Sequence, residues 1–134
     1  MVYLDTDVLI NFLVEQNVSK HTQADEIYRE VTRREELFIS FLVLQETAFV
    51  LGKLNVSVEE INLKLSGFII LNPYSYNLKN YKRAFLFAEK IGFQNFNDCL
   101  HTAIAEEHCN ELITYNKSDF TKLQSLTSLK ITIL

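Results

Sequence analysis

Short apolar runs alternate with amphipathic segments along this chain. Runs of three to five apolar residues predict buried strands, and apolar residues recurring every three or four positions predict helices. The predicted strands are Val2 to Leu4, Leu37 to Ser40, Phe68 to Leu71, Leu112 to Tyr115 and Leu129 to Ile133. The first predicted helix begins near Val8, and the next two cover His21 to Arg34 and Leu42 to Leu54. A fourth begins after Ser57, and the last two cover Asn77 to Ile91 and Phe96 to His108.

The alternation of strands and helices predicts an α/β fold. Parallel strands joined by helical crossovers place helices on both faces of a sheet. We therefore expect a three-layer α/β/α sandwich with a central, mainly parallel sheet. The chain has 134 residues with only three Gly and one Pro, so we expect a single domain over residues 1–134. Ligands of such sheets bind beyond the carboxyl ends of the strands.

Composition narrows the classes of function. The net charge of −4 disfavours a protein that binds nucleic acid by bulk positive charge, but it is compatible with an acidic, metal-binding nuclease. No apolar run approaches the roughly 18 residues of a membrane span, and no secretory signal is visible. We therefore expect a cytoplasmic protein without a membrane partner. Cys99 and Cys109 would lie about 15 Å apart on one helix, which predicts free thiols.

Four acidic residues are candidates for the carboxyl edge of the sheet. Asp5 follows the first predicted strand, Glu46 lies in the helix after the second, Asp98 starts a later helix, and Asp119 follows the strand that ends near position 115. Four carboxylates brought together without cations would repel one another strongly. A divalent ion would relieve that repulsion, and oxygen ligands favour Mg²⁺ or Mn²⁺ over Zn²⁺. This interpretation predicts metal-assisted phosphodiester hydrolysis.

Structural alternatives exist for each Asp in this set. Asp5 or Asp7 suits the N-cap of the first helix, since a side-chain carboxylate there accepts free backbone N–H groups. Asn95 followed by Asp98 resembles a capping box. Asp119 suits the start of a short helix. Taken singly, these capping interpretations compete well with a functional one.

Glu46 is harder to explain as a structural residue. Its neighbours at three and four positions along the predicted helix are all apolar: Leu42, Val43, Phe49 and Val50. A carboxylate on such a face is costly unless it has a partner. Lys53 is the only cation near in sequence, so the alternatives are an ion pair with a distant Arg or Lys and a functional carboxylate.

Three stretches resemble the motifs of PIN-domain ribonucleases. The stretch "YLDTDVLINFL" resembles the first motif, "ISFLVLQETAFVL" the second, and "FNDCLHTAIAEEHCNELITYNKSDF" the third and fourth. They occur in the family's order and together span residues 2–120, whereas residues 55–94 carry no diagnostic motif. Each motif alone is weakly specific, and the ordered set is fairly specific.

The resemblance implies a PIN-like fold and assigns roles to individual residues. It implies that the catalytic and metal-binding carboxylates are Asp5, Glu46, Asp98 and Asp119. It implies supporting roles for Thr6, Thr114 and Asn116, the two hydroxyls orienting neighbours or water. Asp7 is expected to cap the first helix. His101 occupies a position that is more often small and apolar in the family.

The resemblance further implies a metal-dependent endoribonuclease that uses Mg²⁺ or Mn²⁺. The short chain resembles VapC-like toxins of toxin–antitoxin pairs, which implies an RNA substrate, a homodimer and a cognate antitoxin protein. One alternative is a PIN-like domain that binds RNA or protein without catalysis. Another is an Asp-x-Asp phosphatase of the haloacid-dehalogenase type, suggested by "LDTDVL", which leaves Glu46 unexplained.

Basic residues could hold the RNA backbone. Lys79, Lys82 and Arg83 would share one helix face and are the candidate substrate-binding residues, while Arg29 and Arg33 form a second basic face. A solvated surface is the competing interpretation of each face. A zinc site is not expected, since Cys99 and His101 do not share a helix face.

Overall fold

The computed structural model describes residues 1–134 and contains four strands and seven α-helices. The strands are β1 (Val2–Leu4), β2 (Leu37–Phe38), β3 (Glu111–Thr114) and β4 (Lys130–Ile133). The helices are α1 (Thr6–Leu13), α2 (Val18–Arg33), α3 (Phe41–Lys53), α4 (Val58–Ile69), α5 (Leu78–Ile91), α6 (Phe96–His108) and α7 (Lys117–Gln124). A short 3₁₀ turn, Phe93–Asn95, precedes α6.

The strands form one parallel sheet in the order β2-β1-β3-β4. Successive side chains of a strand point to opposite faces, and β1 shows this clearly. Tyr3 joins a cluster of 20 buried residues that includes side chains of α3, α5, α6 and α7. Val2 and Leu4 join a smaller cluster with residues of α2. Helices therefore cover both faces, and the predicted three-layer α/β/α architecture is confirmed.

The predicted strand Phe68 to Leu71 is wrong, because these residues form the end of α4 and the turn after it. Phe68 is buried in the larger core cluster, while the apolar residues that follow it are exposed. A run of four apolar residues does not distinguish a strand from a helix end. The N-terminus of this helix was predicted correctly, since the Ser57 side chain accepts a hydrogen bond from the Glu60 backbone N–H at 3.2 Å.

Two capping expectations are also wrong. Asn95 does not cap α6 with its side chain and instead donates to the Ile91 carbonyl at 3.1 Å, so the capping box with Asp98 is not formed. The expected short helix forms as α7 with Asp119 in its first turn, but its N-cap is Asn116, whose side-chain oxygen accepts from the Asp119 N–H at 3.3 Å.

The carboxyl ends of β1 and β3 lie side by side where the chain changes direction across the sheet. The neighbours of β1 are β2 on one side and β3 on the other, so the connection from β1 to β2 and the connection from β2 to β3 run in opposite directions. Such a switch point forms a crevice where ligands bind. Leu4 is aligned with Ile113, which brings the next residues, Asp5 and Thr114, together.

None of the seven helices combines the length and the apolar character needed to cross a bilayer. Cys99 and Cys109 are both free thiols, as predicted.

Candidate active site

Asp5 is held rigidly at the switch point of the sheet. It is the N-cap of α1, and its Oδ1 accepts from the Thr6 backbone N–H at 2.8 Å. Its Oδ2 accepts from the Thr114 hydroxyl at 2.7 Å. The residue is only 5% exposed. The capping and site interpretations of Asp5 are therefore compatible, because one carboxylate can accept the cap bond and still face the crevice.

Glu46 lies about one and a half turns into α3 and is surrounded by donors. Its Oε2 accepts from the Thr6 hydroxyl at 2.7 Å and lies 2.9 Å from His101 Nε2. Its Oε1 accepts from the Asn97 amide at 2.8 Å. Burial alone would raise the pKa of Glu46, but the hydrogen bond and charge of His101, helped by Thr6 and Asn97, lower it. The partner of Glu46 is thus a histidine, and not the distant Arg or Lys considered from sequence.

His101 connects Glu46 to a buried chain of hydrogen bonds. The residue is 1% exposed, and its Nδ1 lies 2.7 Å from the Tyr3 hydroxyl, which lies 2.7 Å from the Ser40 hydroxyl. A carboxylate only accepts, so the Nε2 of His101 must carry the proton that faces Glu46. Burial tends to lower the pKa of His101, but the hydrogen bond to Glu46 and the Asp5 charge, 3.9 Å away, raise it.

Asp98 is the acidic residue without a donor. Its carboxylate accepts no hydrogen bond from the protein, although the residue is half-buried. Burial, followed by the negative charge of Asp5 and then those of Asp119 and Glu46, raises the pKa of Asp98 to about 7, while His101 acts in the opposite direction. Among the carboxylates of this site, Asp98 is therefore the one whose negative charge is compensated by no hydrogen-bond donor of the protein.

Most of the acidic residues described above line one cavity of about 310 Å³. The lining residues are Asp5, Thr6, Asp7, Ile10, Asn11, Gln16, Glu46, Val50, Asp98 and Asn116. Three of the four predicted carboxylates thus face one space, and no Lys or Arg lines it. The arrangement concentrates negative charge at the switch point of the sheet.

Asp7 does not act as the expected N-cap of α1, a position that Asp5 occupies. Its carboxylate accepts from the Tyr115 backbone N–H at 3.0 Å and lies 3.3 Å from the Thr114 hydroxyl, so it ties α1 to the loop after β3. Burial, and next the charge of Asp5, raise the pKa of Asp7 to about 7. The side chain lines the acidic cavity, and sequence reasoning missed its contact with the β3 loop.

Asn116 lines the cavity, whereas Asp119 is held next to Asn116. Asp119 does not line the cavity, and its Oδ2 accepts from the Asn116 amide at 3.0 Å. Its charge nevertheless contributes to the raised pKa of Asp98. The side-chain oxygen of Asn116 already accepts from the Asp119 N–H and from the Ser118 hydroxyl at 3.1 Å. This oxygen therefore serves first as the cap of α7.

The basic residues proposed for substrate binding lie elsewhere. Lys79, Lys82 and Arg83 line a separate cavity near the C-terminal half of α6, whereas Asp98 is in its first turn. Lys79 pairs with Glu107 at 2.5 Å and Arg83 with Glu106 at 2.7 Å. Their role in RNA binding stays a prediction, and the ion pairs favour a structural role for two of the three.

The donor set fits a hard divalent ion that keeps part of its water shell. No three His, Cys, Asp or Glu side chains have the spacing to hold one ion together. Mg²⁺ is usually bound through one or two carboxylates, with waters and substrate phosphate completing its shell. Asp98, without a donor, and Asp5, at the same cavity, supply oxygens of that kind.

Two residues around Glu46 were missed in the sequence. His101 follows Asp98 by three positions, so the two side chains share a face of α6, and that spacing was an available signal. Asn97 gave no signal, because its contact with Glu46 depends on how α3 and α6 are placed.

Comparison with protein-family models matches the chain to the PIN domain over residues 2–126. Comparison with curated proteins found no match.

Proposed function

The chain belongs to the PIN-domain family, whose members are generally nucleases, and from this premise we propose that it is a metal-dependent endoribonuclease that hydrolyses RNA phosphodiester bonds. The observation that carries the proposal is the environment of Asp98. A half-buried carboxylate without a donor, next to other carboxylates, is unfavourable unless a cation joins it. We infer that this cation is Mg²⁺ or Mn²⁺.

We assign Asp5 and Asp98 as the residues that hold the ion, with Asp119 adding negative charge close by. The chemistry that such an ion supplies is activation of water and neutralisation of charge at the phosphate. Thr114 and the Thr6 N–H fix the orientation of Asp5 through bonds of 2.7 and 2.8 Å. The geometry of Asp5 is thus set before substrate arrives.

Glu46 is better suited to orienting the attacking water. Two donors, Thr6 and His101, contact its Oε2, but only Asn97 contacts its Oε1. A carboxylate oxygen has two lone pairs. The second lone pair of Oε1 is therefore free to accept a proton or a hydrogen bond from water, and the lowered pKa of Glu46 keeps the group ionised.

The test is cleavage of single-stranded and structured oligoribonucleotides with Mg²⁺ or Mn²⁺. We expect Asp5→Asn and Asp98→Asn each to lower the rate of RNA cleavage at least about 100-fold, since each replaces a negatively charged carboxylate that holds the ion with a neutral amide. Glu89→Gln is the matched control, because Glu89 is exposed on α5 and its substitution changes net charge equally. Wild-type rates in Asp98→Asn would refute the proposed chemistry. Absence of both Mn²⁺ binding and cleavage in the wild type would favour the non-catalytic alternative.

We further propose that the protein is a VapC-like toxin that acts in the cytoplasm, forms a homodimer and is neutralised by an antitoxin. The resemblance of its motifs to that group supports this, and so do the exposed apolar side chains of α4, among them Leu63. Induced expression should arrest growth, and co-expression of a small neighbouring reading frame should relieve the arrest. Growth unaffected by the active protein would contradict the toxin role.

A further inference from the structure

One face of α3 leads away from the acidic cavity. This face contains Glu46 and the residues three, four and seven positions after it, which are Phe49, Val50 and Lys53. Side chains at these spacings lie in one row along the helix. Lys53 is about 10 Å from Glu46 along the helix axis. The Phe49 side chain is 65% exposed, so its ring is accessible to a ligand.

A second cavity, of about 450 Å³, opens on this row. Its lining residues are Gln45, Glu46, Phe49, Val50 and Asn97. Glu46 and Val50 also line the acidic cavity, so the two cavities lie next to each other. A ligand that reached the carboxylates could therefore extend over Phe49 without leaving the protein surface.

The groups around this second cavity match the parts of a nucleotide. Phe49 offers an aromatic face for stacking, and Gln45 offers an amide that can pair with the edge of a base. Asn97 offers its amide oxygen, since its amide nitrogen already donates to Glu46. The ammonium group of Lys53 lies 5.4 Å from the centroid of the Phe49 ring and takes part in no ion pair. It is free to contact a phosphate.

We propose that Phe49, Gln45, Asn97 and Lys53 form a subsite for one unstacked base and its phosphate, next to the phosphate that is cleaved. This proposal rests on the proposed nuclease function and deepens it, because it assigns the residues that hold a base next to the cleaved phosphate. A duplex keeps its bases stacked and cannot present a base to Phe49. The position of this cavity beside the acidic cavity, with Glu46 lining both, favours RNA over a second copy of the chain as the occupant.

The first experiment compares KM and kcat on a single-stranded oligoribonucleotide. Phe49→Ala should raise KM about tenfold, the scale of one lost base–aromatic stack, and leave kcat close to wild type. Phe49→Tyr should retain the wild-type KM. Phe41→Ala is the matched control, since Phe41 is an exposed Phe on the same helix outside the cavity. Mn²⁺ affinity, measured by calorimetry, should be unchanged in all three variants.

The second experiment measures binding without cleavage. The chain contains no Trp, so Phe49→Trp provides a single fluorescent reporter, combined with Asp98→Asn to prevent cleavage. Oligoadenylate should quench this fluorescence, and an abasic oligomer should not. Quenching by RNA with no cleavage in the wild type would support the subsite and refute the nuclease proposal.

A wild-type KM in Phe49→Ala, or fluorescence that RNA does not change, would overturn the subsite while leaving the nuclease proposal intact. Dissociation of a dimer by Phe49→Ala, with KM unchanged, would also overturn it and assign the face to a second copy of the chain. Sedimentation of the wild type and of Phe49→Ala distinguishes that result.

Discussion

Replacing Asp98 with Asn should stabilise the metal-free protein at pH 8. The substitution keeps the shape of the side chain but removes a charge that has no donor and lies near Asp5, Glu46 and Asp119. Most substitutions in a folded protein destabilise it. A gain in stability at a proposed catalytic residue would show that the site is held in a strained electrostatic state that a cation relieves.

The raised pKa of Asp98 sets the size of this effect. An increase from 3.8 to about 7 corresponds to a ceiling of about 4 kcal/mol, at ~1.4 kcal/mol for each pKa unit. Solvent screens a group that is only half-buried, which reduces the expected penalty to about 1–2 kcal/mol. Asp98 also lies in the first turn of α6, where a negative charge is favourable by about 0.5 kcal/mol. We therefore expect a net gain of about 1 kcal/mol.

The gain should depend on pH in a defined direction. Between pH 4 and 7 the unfolded chain ionises Asp98 while the folded chain keeps it protonated, so the unfolded state binds fewer protons and stability falls as pH rises. Above pH 7 both states are ionised and the full penalty is present. Wild type and Asp98→Asn should consequently have similar stabilities near pH 4 and differ most at pH 8.

The assay is urea unfolding followed by circular dichroism, in EDTA, at pH values from 4 to 8. Glu89→Gln serves as the control for the change in net charge. Added Mn²⁺ should stabilise the wild type and have little effect on Asp98→Asn, because only a site that binds the ion in the folded state gains stability from it. A variant less stable than wild type at pH 8 in EDTA would refute the electrostatic reasoning.

Four further outcomes are expected. Glu46→Gln should bind Mn²⁺ in calorimetry nearly as well as wild type but lose about 100-fold in RNA cleavage rate, as expected for loss of a water-orienting base. Tyr3→Phe should cost about 1–3 kcal/mol in urea unfolding, because it leaves His101 Nδ1 without its buried partner. Asn77→Ala should cost about 1 kcal/mol in the same assay through loss of the N-cap of α5. Gly92→Ala should lower the melting temperature, since φ of 106° strains any residue with a Cβ by about 1–3 kcal/mol.

Local patterns were sufficient to predict most of the fold. The strands β1, β3 and β4 and the helix α6 lie within a residue of their predicted bounds, because polar residues such as Asp5 and Asn116 mark where these elements begin or end. The failure at Phe68 to Leu71 has a physical cause. Phe68 packs into the core from the last turns of α4, and four apolar residues alone carry no period that would reveal the helix.

The site was predicted less completely, because its charges depend on contacts between distant elements. The parallel pairing of β1 with β3 explains why Asp5 meets Thr114, and alternation of strands and helices made that edge predictable. The contact of Glu46 with His101 joins residues 55 positions apart and depends on how α3 packs beside α6. The spacing of His101 from Asp98 indicates that the two share a helix face, but no local pattern encodes the packing of α3 beside α6 that pairs His101 with Glu46.

The number of donors around each carboxylate explains why one acidic site can contain groups with different roles. Glu46 has three donors from the protein, and its charge is already compensated by Thr6, Asn97 and His101. Asp98 has none, so its charge stays uncompensated until a cation arrives. If His101 faced Asp98 instead, the protein itself would satisfy the group that most needs an ion, and the attraction for a metal would fall. His101 is hydrogen-bonded to Glu46 and makes no hydrogen bond to the Asp98 carboxylate. Its position therefore preserves the need for a cation at the carboxylate that faces the open cavity.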